Sequence, residues 1–218
     1  YYQRAISSIN ALASTLSNRK NGILFTEIDN LQYESDFHQL SPADLVEVKR
    51  INILLDNLKK VTEMHPDPKL RELTKLVDGL VKDNRKSLIF SRYTATTSSI
   101  ENELCKKFPQ LSIGRYDGDV IRIRKSGNSF SENISKEVLL NQLKEGGIDL
   151  IICSDAASEG LNLQSASAVI NVDVPWNPAR VMQRIGRVDR LGQLSPSVLI
   201  FNLVYFNTIE ERMYRILD

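Results

Sequence analysis

The sequence predicts an α/β fold, a doubly wound parallel sheet preceded by a helical segment. From Ser87 onward, short apolar runs of buried-strand length recur along the chain. Most of them alternate with stretches of helical spacing, the crossover connections that a parallel sheet covered on both faces requires. Before Ser87 the pattern is helical, with apolar residues three and four positions apart.

Each element has a local reason. Ser41-Pro42-Ala43-Asp44 reads as a helix start. The serine can cap, the proline suits a first turn where its missing N–H would be unpaired anyway, and an acid follows three residues after the cap. Leu45, Val48, Ile51, Leu55 and Leu58 then form one apolar stripe. Asp67-Pro68 opens another helix, with Leu70, Leu73, Leu76, Val77 and Leu80 on its buried side. Asn18 to Gln39 is less regular and reads as a loop or an excursion.

The strand candidates are Leu88-Ile89-Phe90, residues 111–113, Leu150-Ile151-Ile152-Cys153, residues 168–172 and Val198-Leu199-Ile200-Phe201. Ile100, Leu104 and Phe108 mark a helix after the first, and Val138, Leu139 and Leu143 one before the third. Asn177-Pro178 starts a helix before the last strand, and Thr208-x-x-Glu211 caps a terminal one. Ser126-Gly127-Asn128-Ser129 reads as a loop. The connection from Val120 to Ser135 is long and polar, and the sequence assigns it no role. The expected division is a helical segment over 1–66 and an α/β domain over 67–218.

Composition narrows the classes. A chain of 218 residues with 42% hydrophobic and 25% charged residues suits one soluble globular domain with an appendage. A net charge of +1 excludes a uniformly basic nucleic-acid coat, so any such binding must come from a local patch. Two cysteines and two histidines show neither a zinc-ligand spacing nor a disulfide framework. The expectation is a reduced, cytoplasmic protein without a metal site of its own. No apolar run approaches the ~18 residues of a membrane span, and no signal-peptide pattern opens the chain. It begins Tyr1-Tyr2-Gln3, without methionine, which reads as a piece of something longer.

Ligands of parallel α/β sheets bind outside the carboxyl ends of the strands, and the distinctive residues follow the apolar runs. Residues 183–193 read QRIGRVDRLGQ. In a continuous helix, Val181, Ile185 and Val188 would be buried while Gln183, Arg187 and Arg190 project together. Two guanidinium forks so placed suit phosphate oxygens. The competing reading is a solvated basic face with ion pairs through Asp189. Residues 154–164 read SDAASEGLNLQ. Small residues after a strand end expose N–H groups and a hydroxyl that can hold a phosphate, although a tight strand-to-helix turn needs small residues too.

Together these two stretches, with NVDVPWNP at 171–178, resemble motifs V and VI of superfamily-two helicases and translocases. The closest match is the Swi/Snf-like branch in its bacterial form. SLIFSRY at 87–93 resembles motif IV, RYDG at 115–118 the strand-end motif before the next helix, and TIEER at 208–212 the closing segment. The resemblance covers residues 67–218. It implies a RecA-like sheet, the second lobe of a P-loop NTPase-type pair that clasps ATP, with nucleic acid running across both lobes.

The resemblance also implies roles. Arg187 and Arg190 match arginine fingers that reach the γ-phosphate, a role worth roughly 10³–10⁵ in rate. Gln183 matches a position linking the nucleotide to the rest of its motif, and Gly160 and Asn162 match positions near the nucleotide. Ser154 matches the hydroxyl that holds a strand phosphate. Ser91, Arg92 and Arg115 are expected backbone contacts. The implied cofactors are ATP and Mg2+, and the implied partners are double-stranded DNA and an upstream RecA-like lobe. A bacterial, nucleoid-associated activity would follow.

The departures matter as much. The chain contains no G-x-x-x-x-G-K-[ST] and no Asp-Glu pair. The phosphate cradle, its lysine and the Mg2+ site are therefore expected upstream, and this chain alone is expected not to hydrolyse ATP. Two other readings stay open: a noncatalytic nucleic-acid-binding module of the same fold, and the lobe of an RNA-directed helicase. Trp176-Asn177-Pro178 and Gly192-Gln193 resemble the duplex-DNA branch more than the DEAD-box branch. Trp176 itself reads as packed against the following helix or as facing nucleic acid. Arg184 leaves the Gln183/Arg187/Arg190 stripe and reads as a structural ion pair.

Overall fold

The computed structural model describes residues 5, 7–31, 41–118, 120–127, 130–131, 133–155, 163–175, 177–193, 195–208, 210–212 and 214, with backbone alone over 24–31. The chain forms two compact units, Tyr1–Asp67 and Pro68–Asp218.

In the first unit, helices α1 (Ile9–Leu31) and α2 (Pro42–Met64) pack together. Ser41 caps α2 as expected, its Oγ accepting from the Asp44 N–H at 3.1 Å. Val48, Leu55 and Leu58 close around buried Leu16, Ile23 and Ile51, while Leu45 at the head of the stripe is exposed. The irregular stretch after Asn18 is helical as far as Leu31, contrary to the loop expected there. Asn21 and Gly22 are weak helix formers, but Leu16 and Ile23 lie seven residues apart on one buried face. Packing of that face outweighs local propensity.

The second unit holds α3 (Pro68–Lys82), β1 (Ser87–Ser91), α4 (Thr94–Lys107), β2 (Ile113–Asp117), β3 (Val120–Arg124), α5 (Lys136–Glu145), β4 (Leu150–Ser154), β5 (Ala168–Asn171), α6 (Pro178–Ile185) and β6 (Leu199–Asn202). The strands form one sheet in the order β3-β2-β4-β1-β5-β6. Every neighbouring pair is parallel except β2 and β3. Strand alternation divides the core into two layers. Ile89, Ile113, Ile152 and Ile170 meet α3 and α4 through Leu73, Val77, Ile100 and Leu104. Leu88, Phe90, Ile151 and Val169 form the opposite layer with Leu139 and Leu143 of α5.

Two strand expectations are corrected. The second strand begins at Ile113, not Leu111: the Leu111 N–H still bonds to Phe108 O at 3.1 Å, in the turn leaving α4. The unassigned connection after Val120 contains β3, an antiparallel edge strand. Gly118, at φ +57°, makes the tight reversal that brings Val120 opposite Asp117. Arg124 anchors the far end of β3 by donating to the carbonyls of Cys105, Phe108 and Leu111 at 2.9–3.1 Å, around the end of α4. The following chain partly covers the outer edge, with Ser131 N–H donating to Ile123 O and Ile134 N–H to Ile121 O. Such cover removes an open template for strand pairing.

Candidate functional site

The carboxyl ends of the central strands gather the polar residues. Ser91 of β1 lies in register with Ser154 of β4, and β5 ends beside them at Asn171. Asp173, two residues beyond β5, joins these ends. It accepts from Ser91 Oγ at 2.7 Å and from the Arg92 N–H at 2.9 and 3.0 Å.

Helix α6 delivers the third segment. Asn177 Oδ1 caps it by accepting from the Ala179 N–H at 3.0 Å, and Pro178 opens its first turn. From this helix Arg184 runs inward and is only 3% exposed. Its Nε donates to Asp155 Oδ1 at 2.7 Å, and its Nη1 donates to Asn171 Oδ1 at 2.8 Å and to Asp173 O at 2.9 Å. The guanidinium also lies 5.4 Å from the Phe90 ring centre. Arg184 is thus a brace between the segments that follow β4 and β5.

Arg187 and Arg190 are placed differently from a continuous helix. Helix α6 ends at Ile185, and the chain continues in tighter turns. The Arg187 N–H bonds to Arg184 O at 3.2 Å and the Val188 N–H to Ile185 O at 2.9 Å, both at three-residue spacing. Buried Val188 anchors this turn in the core, and Gly192, at φ +97°, reverses the chain beyond it. Gln183, Arg187 and Arg190 therefore do not share one helical stripe. Gln183 is exposed on α6, Arg187 is half-buried and Arg190 is exposed on the turn.

The contrast among the arginines is chemical. Arg184 is surrounded by acceptors, whereas Arg187 and Arg190 have no side-chain hydrogen bond or ion pair with any described residue. Asp189, which lies between them and is exposed, pairs with neither. Two permanently charged forks without a counter-charge among the described residues form a ready receptor for an anion.

The other expected contacts divide. Ser154 ends β4 with 5% exposure, next to Ser91, and Arg92 is exposed at the same edge. Ser91 is fully buried, and its hydroxyl is committed to Asp173. Arg115 is 7% exposed, and its guanidinium donates to Glu101 at 2.7 Å, to Ser98 at 2.7 Å and to Asp117 at 2.5 and 2.7 Å. Burial works against its charge and is outweighed by Glu101 and Asp117, so its pKa is raised. Arg122 joins the same Glu101 carboxylate from β3. The Ser91 and Arg115 side chains, expected as phosphate-backbone contacts, thus make these internal bonds. Gly160, Asn162 and Trp176 lie outside the described residues.

Three residues with structural weight were not singled out from sequence. Asp155 and Asp173 fall inside the quoted motif stretches, and acids directly beyond strand ends are the signal that could have marked them. The third is Lys69, which pairs with Glu210 at 3.0 Å through both carboxylate oxygens and donates to Val172 O at 2.7 Å. This buried pair ties the start of α3 to the TIEER segment. Among the described residues no group of three metal-ligating side chains comes together, and no helix is long and apolar enough to cross a membrane.

Residues 68–192 match the family described as "Helicase conserved C-terminal domain". The chain belongs to that family. Among curated relatives, the "Uncharacterized ATP-dependent helicase YqhH" of Bacillus subtilis (strain 168) is 31% identical over 175 residues, covering 80% of this chain and 28% of the relative. The "DNA repair protein RAD5B" of Arabidopsis thaliana is 32% identical over 152 residues, covering 68% and 11%. The chain thus spans about a quarter of the first relative's length and about a tenth of the second's. The C-terminal part of the Fun30 ATPase domain shares the fold at a TM-score of 0.58 and 21% identity, over 94% of this chain and 65% of that one. The Pyrococcus furiosus Hef helicase domain does so at 0.59 and 20%, over 95% and 38%. The lobe is RecA-like, and its resemblance to the Swi/Snf-like branch of superfamily two holds.

Proposed function

We propose that this helicase C-terminal lobe is the second motor lobe of an ATP-dependent, DNA-stimulated translocase of bacterial type. Arg187 and Arg190 act as arginine fingers on the γ-phosphate of ATP. The observation that carries this reading is that neither guanidinium group pairs with a described residue, beside a third, Arg184, whose charge is neutralised internally. A basic patch with a merely structural purpose would gain by pairing Asp189 with one of them.

The residues fit one side of a triphosphate. Two guanidinium forks on a turn anchored by Val188 can meet the charge that develops on a transferring phosphoryl group, and positioning with charge stabilisation is most of phosphoryl-transfer catalysis. Gln183 borders this edge from the last turn of α6, and Gly160 and Asn162 are assigned to the same nucleotide by their motif positions. Among the described residues no carboxylate cluster comes together to ligate Mg2+, and the ion and the phosphate cradle are assigned to an upstream lobe. Magnesium bound there would neutralise phosphate charge, and this lobe would supply the opposing cations.

Duplex DNA is the proposed track, met at the strand-end edge by Arg92 and Ser154. Contacts of this kind read the phosphate backbone and carry little sequence information. The similarity to a DNA repair protein of Arabidopsis thaliana favours DNA over RNA. The test is ATP turnover by the full-length protein with duplex DNA and with RNA at matched salt. Stimulation by duplex DNA supports the reading, and stimulation by RNA alone contradicts it. An absence of turnover with either would favour a noncatalytic binding module.

A further inference from the structure

The arginine turn lies beyond the end of α6, whose last carbonyls hold its first residues: the Asp189 N–H donates to Ile185 O at 2.8 Å. A second set of contacts holds the carbonyls of the turn itself. Gln193 Nε2 donates to Val188 O at 3.0 Å and to Ala166 O at 2.9 Å, and its Oε1 accepts from the Ser195 N–H at 2.9 Å. Gln164 Nε2 donates to Leu191 O at 2.5 Å. Between them the Leu163 N–H donates to Arg187 O at 3.1 Å. The carbonyls of Arg187, Val188 and Leu191 are therefore all held from the short segment 163–166 or by an amide that also grips it.

That segment is firmly seated. Leu163 and Ala166 are fully buried, and the Ser167 N–H donates to Lys86 O at the head of β1, at 2.9 Å. On the far side of the turn the side chains of Asp189, Arg190 and Leu191 are all exposed. We infer that Gln193, assisted by Gln164, is a positioning residue for Arg187 and Arg190. Its amide clasps the arginine turn to the segment that ends motif V and so holds both guanidinium groups at the nucleotide edge. The inference rests on the arginine-finger reading and gives the terminal Gly192-Gln193 of the motif a physical role.

The geometry explains why an amide is needed. Gln193 satisfies two carbonyls and one N–H at once, using both of its donors and its acceptor. A methionine there keeps the length and loses all three bonds. A glutamate keeps the acceptor and turns a carboxylate toward two carbonyls. Misplacing a catalytic group by about 1 Å can cost up to about 10²-fold in rate.

The experiment uses the full-length protein. Gln193→Met and Gln193→Glu should each lower kcat for DNA-stimulated ATP hydrolysis about tenfold. The KM for ATP, the affinity for duplex DNA and the melting temperature should stay near the parent's. Gln164→Ala, which removes the bond to Leu191 O at a partly exposed position, should lower kcat less, in the same pattern. Unchanged kcat in both Gln193 variants would overturn the inference. So would a fall in kcat that tracks lost DNA binding and a lower melting temperature, because that is damage to the fold alone. Arg187→Ala, run in parallel, separates the two levels. If it abolishes turnover while the Gln193 variants do not slow it, the clasp is wrong and the arginine reading stands. If it leaves turnover intact, the arginine reading fails and takes the clasp with it.

Discussion

Arg184 Nε donates to Asp155 Oδ1 at 2.7 Å, joining the helix that leads to the arginine turn with the residue that follows β4. The same guanidinium reaches Asn171 and the Asp173 carbonyl, so one side chain fixes three segments at the strand ends. Arg184→Met removes this guanidinium from Asp155 and Asp173. Breaking a buried pair from one side costs about 3–5 kcal/mol, and urea unfolding of the chain should show a loss of that order. Arg184→Lys should restore little of it, because an ammonium is a point charge and cannot span three acceptors as a planar fork does.

The Lys69–Glu210 pair makes a second stability prediction. Both side chains are nearly inaccessible, at 4% and 2% exposure. Lys69→Met should destabilise by about 3–5 kcal/mol, whereas Lys69→Met with Glu210→Leu should recover most of that loss. The measurement is the urea midpoint of the two variants beside the parent.

Glu210 also gives a pH dependence with a definite sign. Burial pushes its carboxyl above the ordinary value, and Lys69 opposes that shift. The native state therefore keeps this proton to higher pH than the unfolded chain does. The resulting contribution to stability is fully present below the ordinary glutamate pKa and is lost as pH rises through the raised native value. Glu210→Gln should remove this component of the pH profile of stability, read by denaturant midpoints across the mildly acidic range.

The two thiols should differ in accessibility. Burial raises the pKa of both, and Cys153, fully buried in β4, is raised far more strongly than half-buried Cys105. Only the thiolate is nucleophilic. At neutral pH an aromatic disulfide reagent should modify Cys105 slowly in the native protein and reach Cys153 only on unfolding. Equal rates at the two sites would contradict the placement of β4 in the centre of the sheet.

Arg92 and Arg115 separate a nucleic-acid contact from a structural cation. In the full-length protein, Arg92→Ala should weaken duplex binding evenly across sequences and reduce the salt slope by about 1. Arg115→Ala should leave that slope unchanged and lower stability, since its guanidinium belongs to Glu101, Ser98 and Asp117. Salt titrations of DNA binding and unfolding curves for the two variants distinguish these outcomes.

The central strands were legible because burial on both faces leaves continuous apolar runs such as Leu150–Cys153. β3 was not, since Val120-Ile121-Arg122-Ile123-Arg124 mixes charges into a short edge strand that reads as a polar connection. Its arginines bond to Glu101 and to carbonyls around the end of α4, partners distant in sequence. The partners of Arg115 are only partly local: Asp117 lies on its own strand, whereas Glu101 and Ser98 come from α4. The motif residues of the arginine turn were visible, but its backbone was not. Helical spacing suited Val181, Ile185 and Val188 equally well whether α6 continued or ended at Ile185, and the Gln164 and Gln193 bonds that hold the turn depend on tertiary placement.

The central claim is that Arg187 and Arg190 face the γ-phosphate of ATP held by an upstream lobe. Steady-state ATP hydrolysis by the full-length Arg187→Ala variant, with saturating duplex DNA and a parallel measurement of nucleotide binding, tests it most directly. The account predicts turnover lower by about 10³-fold or more, with ATP affinity close to the parent's. Turnover within a few-fold of the parent's would contradict it.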